Sequence, residues 1–352
     1  MNTLKAKINR FAVFFLIVFG IFSLGGCHWF NAPKHRKAYF PSEVTAMESL
    51  NTPFNDYNMD IQILFHEMDV IFSSDRNSLP GSLQYDLIGI TVSFAWDQQE
   101  GTLSMQEVSS SSAGVQMAKN LAQSTHTSFN ERGPYSFGTP ESGSYLLFSR
   151  DDQGFFTVYA KKFQIPYSVS TPQEIFPGES SFRILSESGN EMYPCLYGKA
   201  FEKVNNLGSR NRAEKLLLAS DHEGSFNIYE IDLPENQEVM NFLQSEGLKQ
   251  GKKLGINTEF QDQAPFISKS RMVFASDRPG GFGGFDLYYS DFDGQNWSMP
   301  KNMGPEINTE FDEFRPILDP APYYENSILL FSSNRPGGLG GFDLYFVGVD
   351  KF

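Results

Sequence analysis

Residues 272–289 read M-V-F-A-S-D-R-P-G-G-F-G-G-F-D-L-Y-Y, and residues 329–346 read L-L-F-S-S-N-R-P-G-G-L-G-G-F-D-L-Y-F, the same device 57 residues further on. An apolar strand ends at Ser276-Asp277, whose short side chains can accept hydrogen bonds from the N–H groups of a turn. Pro279 fixes one dihedral, and Gly280, Gly281, Gly283 and Gly284 permit positive φ without a Cβ clash. Phe285-Asp286-Leu287-Tyr288 then alternates as a strand does. In the second copy Asn334 stands for Asp277, Asp343 for Asp286, and Gly337, Gly338, Gly340 and Gly341 for the four glycines.

Looser copies lie upstream: Val70–Leu87, with Asp75 at the turn, Leu146–Tyr159 and Leu217–Tyr229. An opener precedes each copy. Asn308-Thr309-Glu310-Phe311 matches Asn257-Thr258-Glu259-Phe260 and Asn51-Thr52-Pro53-Phe54, with weaker forms at Asn130 and Asn190. Five openers and five hairpins, beginning roughly 55 to 75 residues apart, describe four-stranded propeller blades with unequal loops. The expected fold is therefore all-β, a propeller of five four-stranded blades over 38–352. Its repeats are placed at about 51–127, 128–187, 188–254, 255–305 and 306–352.

After the fifth hairpin only Val347–Phe352 remain, so that blade lacks its outermost strand. Ala38–Ser49 precedes its opener as 295–306 precedes another, with Phe40 opposite Trp297, and is expected to close the ring by completing the last blade. With 34 Phe, 15 Tyr, 30 Gly and 19 Pro, composition favours strands and turns over helices. Helical patterning is confined to Gly114–Ser124 and Pro234–Leu248.

The N-terminal segment carries Lys5, Lys7 and Arg10 ahead of an uncharged apolar run from Phe11 to Phe22, the pattern of an export signal. Leu24-Gly25-Gly26-Cys27 resembles the bacterial lipobox. That resemblance implies a signal peptide at 1–26, a lipidated Cys27 and a tether over 27–37. The expected location is the outer membrane, on its periplasmic face, with the cell surface as the alternative. Without residues 1–26, 25 basic side chains face 42 acidic ones, a formal charge of −17, which argues against nucleic acid as a partner. Only Cys27 and Cys195 exist, so no intrachain disulfide is expected.

The S-D-R-P-G-G-x-G-G-F-D-L-Y hairpins resemble those of TolB-like, WD-repeat-like propellers. The match is specific over 255–352 and degenerate but in phase over 51–254. It implies a non-catalytic, monomeric scaffold that binds other envelope proteins or peptides and needs no cofactor.

Asp277, Asp286, Asn334 and Asp343 could ligate a metal, but their repetition in each blade points to turn fastening. Asp291-Phe292-Asp293-Gly294 opens like a calcium loop yet lacks the later ligands and the closing glutamate, and reads as a hairpin turn. His28, His35, His66, His126 and His222 show no ligand spacing, so no metal site is expected. Ser109–Ser112 lacks a nucleophile elbow, and Cys195 reads as a buried inert thiol. Five-bladed propellers also host glycosidases, for which Asp56, Glu131, Glu191, Asp262 and Asp312 are the candidate carboxylates. A glycan binder using aromatic faces is the companion alternative.

Overall fold

The hairpin turns close through side-chain hydrogen bonds in a computed structural model of the chain. It describes residues 34–35, 37–64, 67–79, 81–108, 113–139, 143–163, 178–198 and 212–352. Cys27, the signal and lipobox, most of the tether, His28, His66 and Ser109–Ser112 lie outside the described residues. At the 272–289 hairpin, Asp286 Oδ2 accepts from Phe282 N–H and from Asn302 Nδ2. At 329–346, Asp343 Oδ2 accepts from the N–H groups of Leu339 and Gly340.

The glycines divide the labour differently from the expectation. Of the glycines in the 272–289 and 329–346 hairpins, Gly280 and Gly337 alone have positive φ, +90° and +95°. The others are needed because neighbours come too close for a side chain. A Cβ on Gly281 would lie 2.2 Å from Asp286 Oδ2, and one on Gly340 1.7 Å from Phe54 O of the next blade.

Five four-stranded antiparallel sheets form the molecule. Blade 1 is β2 (Asp56–Leu64), β3 (Glu67–Ser74), β4 (Asp86–Asp97) and β5 (Thr102–Glu107). Blade 2 is β6 (Glu131–Thr139), β7 (Gly143–Arg150), β8 (Thr157–Phe163) and β9 (Glu179–Phe182). Blade 3 is β10 (Glu191–Tyr197), β11 (Lys215–Ser220), β12 (Asn227–Asp232) and β13 (Gly251–Lys253). Blade 4 is β14 (Asp262–Ser268), β15 (Arg271–Ser276), β16 (Asp286–Asp291) and β17 (Lys301–Asn302). Blade 5 is β18 (Glu313–Asp319), β19 (Ser327–Ser333) and β20 (Asp343–Val349), completed by β1 (Thr45–Ala46).

Ring closure is thus the N-terminal strand pairing antiparallel with β20, Ala46 opposite Tyr345. Asn51 fastens it, its amide exchanging two hydrogen bonds with the backbone of Leu344. The equivalent pairing in blade 4 sets Asn302 opposite Tyr288. The match to Ala46 is therefore Asn302, one residue away from the alignment that put Phe40 opposite Trp297. The extra residue is taken up at Met303-Gly304, where Asn308 N–H reaches back to Gly304 O as Asn51 N–H does to Met47 O.

Among the described residues two helices sit outside the ring: α1 (Ala113–Gln123) and α2 (Val239–Gln244). α1 lies against β4 so closely that a Cβ on Gly89 would be 2.1 Å from Ala118 O. Its Met117 and Leu121 bury with Ile71, Leu87, Phe148 and Phe163. Pro234 does not open α2; it starts a turn closed by Gln237 N–H. Phe72, Phe148, Phe274 and Phe331 occupy equivalent places on the second strands and are fully buried, each contributing about 2–3 kcal/mol of apolar burial.

Candidate functional site

Each innermost strand begins with a carboxylate followed by a residue of no fixed type: Asp56-Tyr57, Glu131-Arg132, Glu191-Met192, Asp262-Gln263 and Glu313-Phe314. Alternation along a strand sends the two side chains to opposite sides. The acids turn into the blade. Arg76 meets Asp56 at 2.6 Å, Arg150 meets Glu131 at 2.8 Å and Arg335 meets Glu313 at 2.9 Å. Arg278 holds Asp262 in the same way, while Glu191 accepts the N–H groups of Ile184, Leu185 and Ser186. Thr52, Thr258 and Thr309 of the openers donate from N–H and hydroxyl to the acid four residues on. Burial raises the Glu131 carboxyl, with Thr127 and Arg150 pulling the other way. Four of the five carboxylates considered for glycosidase chemistry, Asp56, Glu131, Glu191 and Asp262, are therefore consumed inside the blades.

Asp312 belongs to a different position, one residue earlier, shared with Asn55, Asn130, Asn190 and Gln261. These five latch adjacent blades. The N–H groups of Phe342, Tyr85, Phe156, Phe226 and Phe285 donate to them in turn, at 2.8–3.1 Å. Each is also held by the turn residue of its own blade. Asn55, Asn130 and Asn190 donate from N–H and Nδ2 to Asp75, Asp151 and Asp221. Gln261 N–H donates to Asp277. Blade 5 exchanges the chemistry: Asp312 N–H donates to Asn334 Oδ1, and Asn334 Nδ2 donates to Asp312 Oδ2. The turn positions Asp75, Asp277 and Asn334 thus act between strands as well as within the turn.

The residues that follow the acids face a cavity of about 330 Å³ at the mouth of the ring, lined by Tyr57, Arg132, Met192, Gln263 and Phe314 together with Phe156, Phe226, Phe285 and Phe342. Asn190, Tyr193 and Asp312 complete it. The four phenylalanines are half-buried and offer ring surface to the space. Among the described residues, Asp312 is the single carboxylate in this lining.

The mouth is closed below by bulges. In each innermost strand the register shifts just after the acid, and the bulge residues Asn58, Gly133, Tyr193, Ala264 and Arg315 have φ of 51–61°. Arg315 is wholly buried beneath Tyr193, its guanidinium 5.5 Å from that ring. It donates to Pro134 O at 2.9 Å and to Pro265 O at 3.4 Å, joining blade 5 to blades 2 and 4 across the axis. Burial lowers its affinity for the proton, and Asp60 opposes that shift.

Arg132 is the half-buried counterpart at the cavity. Its guanidinium packs against the rings of Tyr85 at 4.4 Å, Phe156 at 5.3 Å and Tyr57 at 5.5 Å. Burial raises the phenols of Tyr57 and Tyr193, a shift the Arg132 cation opposes; both remain hydrogen-bond donors at neutral pH. Sequence reading missed Arg132, Tyr193 and the four phenylalanines. The available signal was variability at one position of an otherwise regular repeat.

The remaining candidates resolve simply. Cys195 is buried on β10. Asp293 caps a turn by accepting the N–H groups of Gln295 and Asn296, which lowers its carboxyl pKa. Among the described residues no group of three His, Cys, Asp or Glu side chains is placed to hold a metal ion. His126 instead bonds Leu87 O at 2.7 Å, a fastening contact between blades 1 and 2.

No sequence family and no curated protein sequence matches this chain. Solved structures do. An α-L-arabinofuranosidase from Podospora anserina aligns over 90% of this chain and 98% of its own, at 10% identity and a TM-score of 0.46. A GH62 hydrolase solved with xylotriose aligns over 91% and 99%, at 10% identity and a TM-score of 0.49. A GH43 β-xylosidase/α-arabinofuranosidase from a compost metagenome aligns over 86% and 94%, at 9% identity and a TM-score of 0.46. At these values the likeness is one of fold. These neighbours are glycoside hydrolases rather than TolB-like or WD-repeat propellers, so the expected TolB-like kinship is corrected. The reading built on it, a non-catalytic scaffold for protein partners, is given up as well. Short S-D-R-P-G-G hairpins record how a blade turns and carry no information about what its mouth holds.

Proposed function

We propose that the propeller is a carbohydrate-active protein that takes a saccharide in its central mouth. The observation that carries this reading is the ring of half-buried phenylalanine faces, Phe156, Phe226, Phe285 and Phe342, interleaved with hydrogen-bonding groups from Arg132, Asn190, Tyr193, Gln263 and Asp312. Apolar faces to cover C–H surfaces, with polar groups between them to meet hydroxyls, is the arrangement a sugar ring needs, and the cavity has the size of a small-ligand site. Cleavage of a bound glycan would have one lining carboxylate to draw on, Asp312.

Isothermal titration of the full chain with a panel of neutral and acidic oligosaccharides, alongside an assay for new reducing ends, tests both binding and turnover. Binding that weakens when Phe285 is replaced by alanine supports the reading. A folded protein that binds none of the panel overturns it. Anchoring through Cys27 at the outer membrane, which would hold this mouth beside envelope or imported glycans, is part of the same proposal.

A further inference from the structure

Arg132 stands apart from the other described arginines. Arg76, Arg150, Arg278 and Arg335 are spent on blade carboxylates, and Arg271 pairs with Asp291. Arg183, Arg212 and Arg315 donate to backbone carbonyls. Among the described arginines, Arg132 alone has neither a carboxylate nor a carbonyl partner. Its Nε is buried and unbonded, while its side chain lines the cavity.

Three rings, Tyr57, Tyr85 and Phe156, fix the plane of its guanidinium. Stacking of this kind holds a cation in place without neutralising it. The acids near this mouth are already engaged: Asp75 with Asn55, and Asp312 with Asn334 and Phe285 N–H. A desolvated, oriented and unpaired fork of N–H donors in a sugar-sized cavity is a receptor for a planar anion, and the planar anion of carbohydrate chemistry is a carboxylate.

Resting on the carbohydrate reading of this cavity, we propose that the saccharide is a uronic-acid-containing oligosaccharide and that Arg132 binds its carboxylate. The whole chain carries a formal charge of −14. General electrostatics therefore disfavours an anionic ligand, and any preference for one must come from a local cation.

The test is titration of the full chain with an oligouronate, its methyl ester and a sulfated neutral oligosaccharide of equal length, for wild type and Arg132→Gln. Wild type is expected to bind the free acid at least about tenfold more tightly than the ester, the worth of one charge-assisted contact. Arg132→Gln is expected to remove that preference, so that acid and ester bind the variant with the same affinity. The acid–ester comparison on wild type needs no variant, so a misfolded Arg132→Gln leaves the test intact. Equal binding of acid and ester, tighter binding of the sulfated sugar, or a preference that survives in the folded variant overturns the assignment and leaves the carbohydrate reading standing. Absence of binding to all three ligands and to neutral sugars overturns both.

Discussion

Exchange of Asp312 and Asn334 is the most informative perturbation, because the other blades supply its control. In blade 5 the acid sits on the inner strand and the amide on the turn, whereas Asn55/Asp75, Asn130/Asp151 and Asn190/Asp221 have the reverse arrangement. Asp312→Asn alone turns two amide NH₂ groups on each other. It removes the bond from Asn334 Nδ2, 2.9 Å long, a charge-assisted contact at a half-buried site worth about 1–2 kcal/mol. Asn334→Asp alone sets two carboxylates face to face, a loss of about 2 kcal/mol by the same lost bond plus repulsion. The double variant rebuilds the arrangement of blades 1–3 and keeps the acceptor for Phe285 N–H, so its stability is expected within about 0.5 kcal/mol of wild type. The coupling energy of the cycle is then about 3 kcal/mol, at the upper end of what contacting pairs show. Urea unfolding of the four proteins measures it. Additive losses, with the double variant the least stable, would refute the latch. The folded double variant also separates two roles, since it removes the Asp312 carboxylate from the mouth without breaking the blade. Any glycan cleavage that persists in it does not use Asp312.

Three further outcomes follow from particular contacts. Asp69 is buried under α1 with Oδ2 unbonded, and burial pushes its carboxyl to about 6, against the pull of the Thr91 hydroxyl. Because the folded-state pKa lies above the unfolded one, the folded state binds more protons between about pH 4 and 6, and stability is lost as pH rises through that window. Asp69→Asn, whose Oδ1 can still accept from Thr91, should match wild type near pH 4 and exceed it at pH 8 by up to about 3 kcal/mol; a gap independent of pH in denaturant titrations would count against this. Gly340→Ala has to move the Phe54 carbonyl, 1.7 Å from the new Cβ, and is expected to cost at least about 2 kcal/mol by thermal melting, whereas Gly154→Ala meets no atom within 4 Å and is strained only by its φ of +84°. Cys27→Ser is expected to move the protein from the membrane pellet to the soluble fraction after cell lysis; retention in the pellet with the signal removed would show that Cys27 does not anchor it.

Much of the architecture was legible because the repeat is built from residues with narrow backbone roles. Asparagine at the openers and Asp/Gly at the turns can be aligned by eye, and the missing last strand follows from where the fifth hairpin ends. The direction in which the carboxylates point was not legible. A bulge resets the alternation of each inner strand immediately after the acid, and only Gly133 betrays the positive φ involved; Asn58, Tyr193, Ala264 and Arg315 adopt it as ordinary L-residues. The proline that follows at 134, 194, 265 and 316 was the remaining sign. With the bulge unseen, carboxylates in phase at the mouth looked like possible catalysts. Asp56, Glu131 and Asp262 are the internal partners of arginines of their own blades, Glu191 is held by backbone N–H groups, and Asp312 is latched to Asn334.

Repetition itself sorts structure from function in this molecule. A ring of four equivalent phenylalanines, with Tyr85 in the fifth place, gives a ligand several near-equivalent ways to lie and little direction. What breaks the symmetry is side chains that differ from blade to blade: a guanidinium from blade 2, a tyrosine hydroxyl raised on a bulge in blade 3, an amide from blade 4 and a carboxylate from blade 5, at Arg132, Tyr193, Gln263 and Asp312. Cation and anion lie on different blades of one mouth, so a saccharide with an acidic end has one favoured orientation across it. The buried Arg315 beneath ties blade 5 to carbonyls of two other blades. Change at the in-phase positions should therefore register first in stability, and change at the four unique positions first in binding.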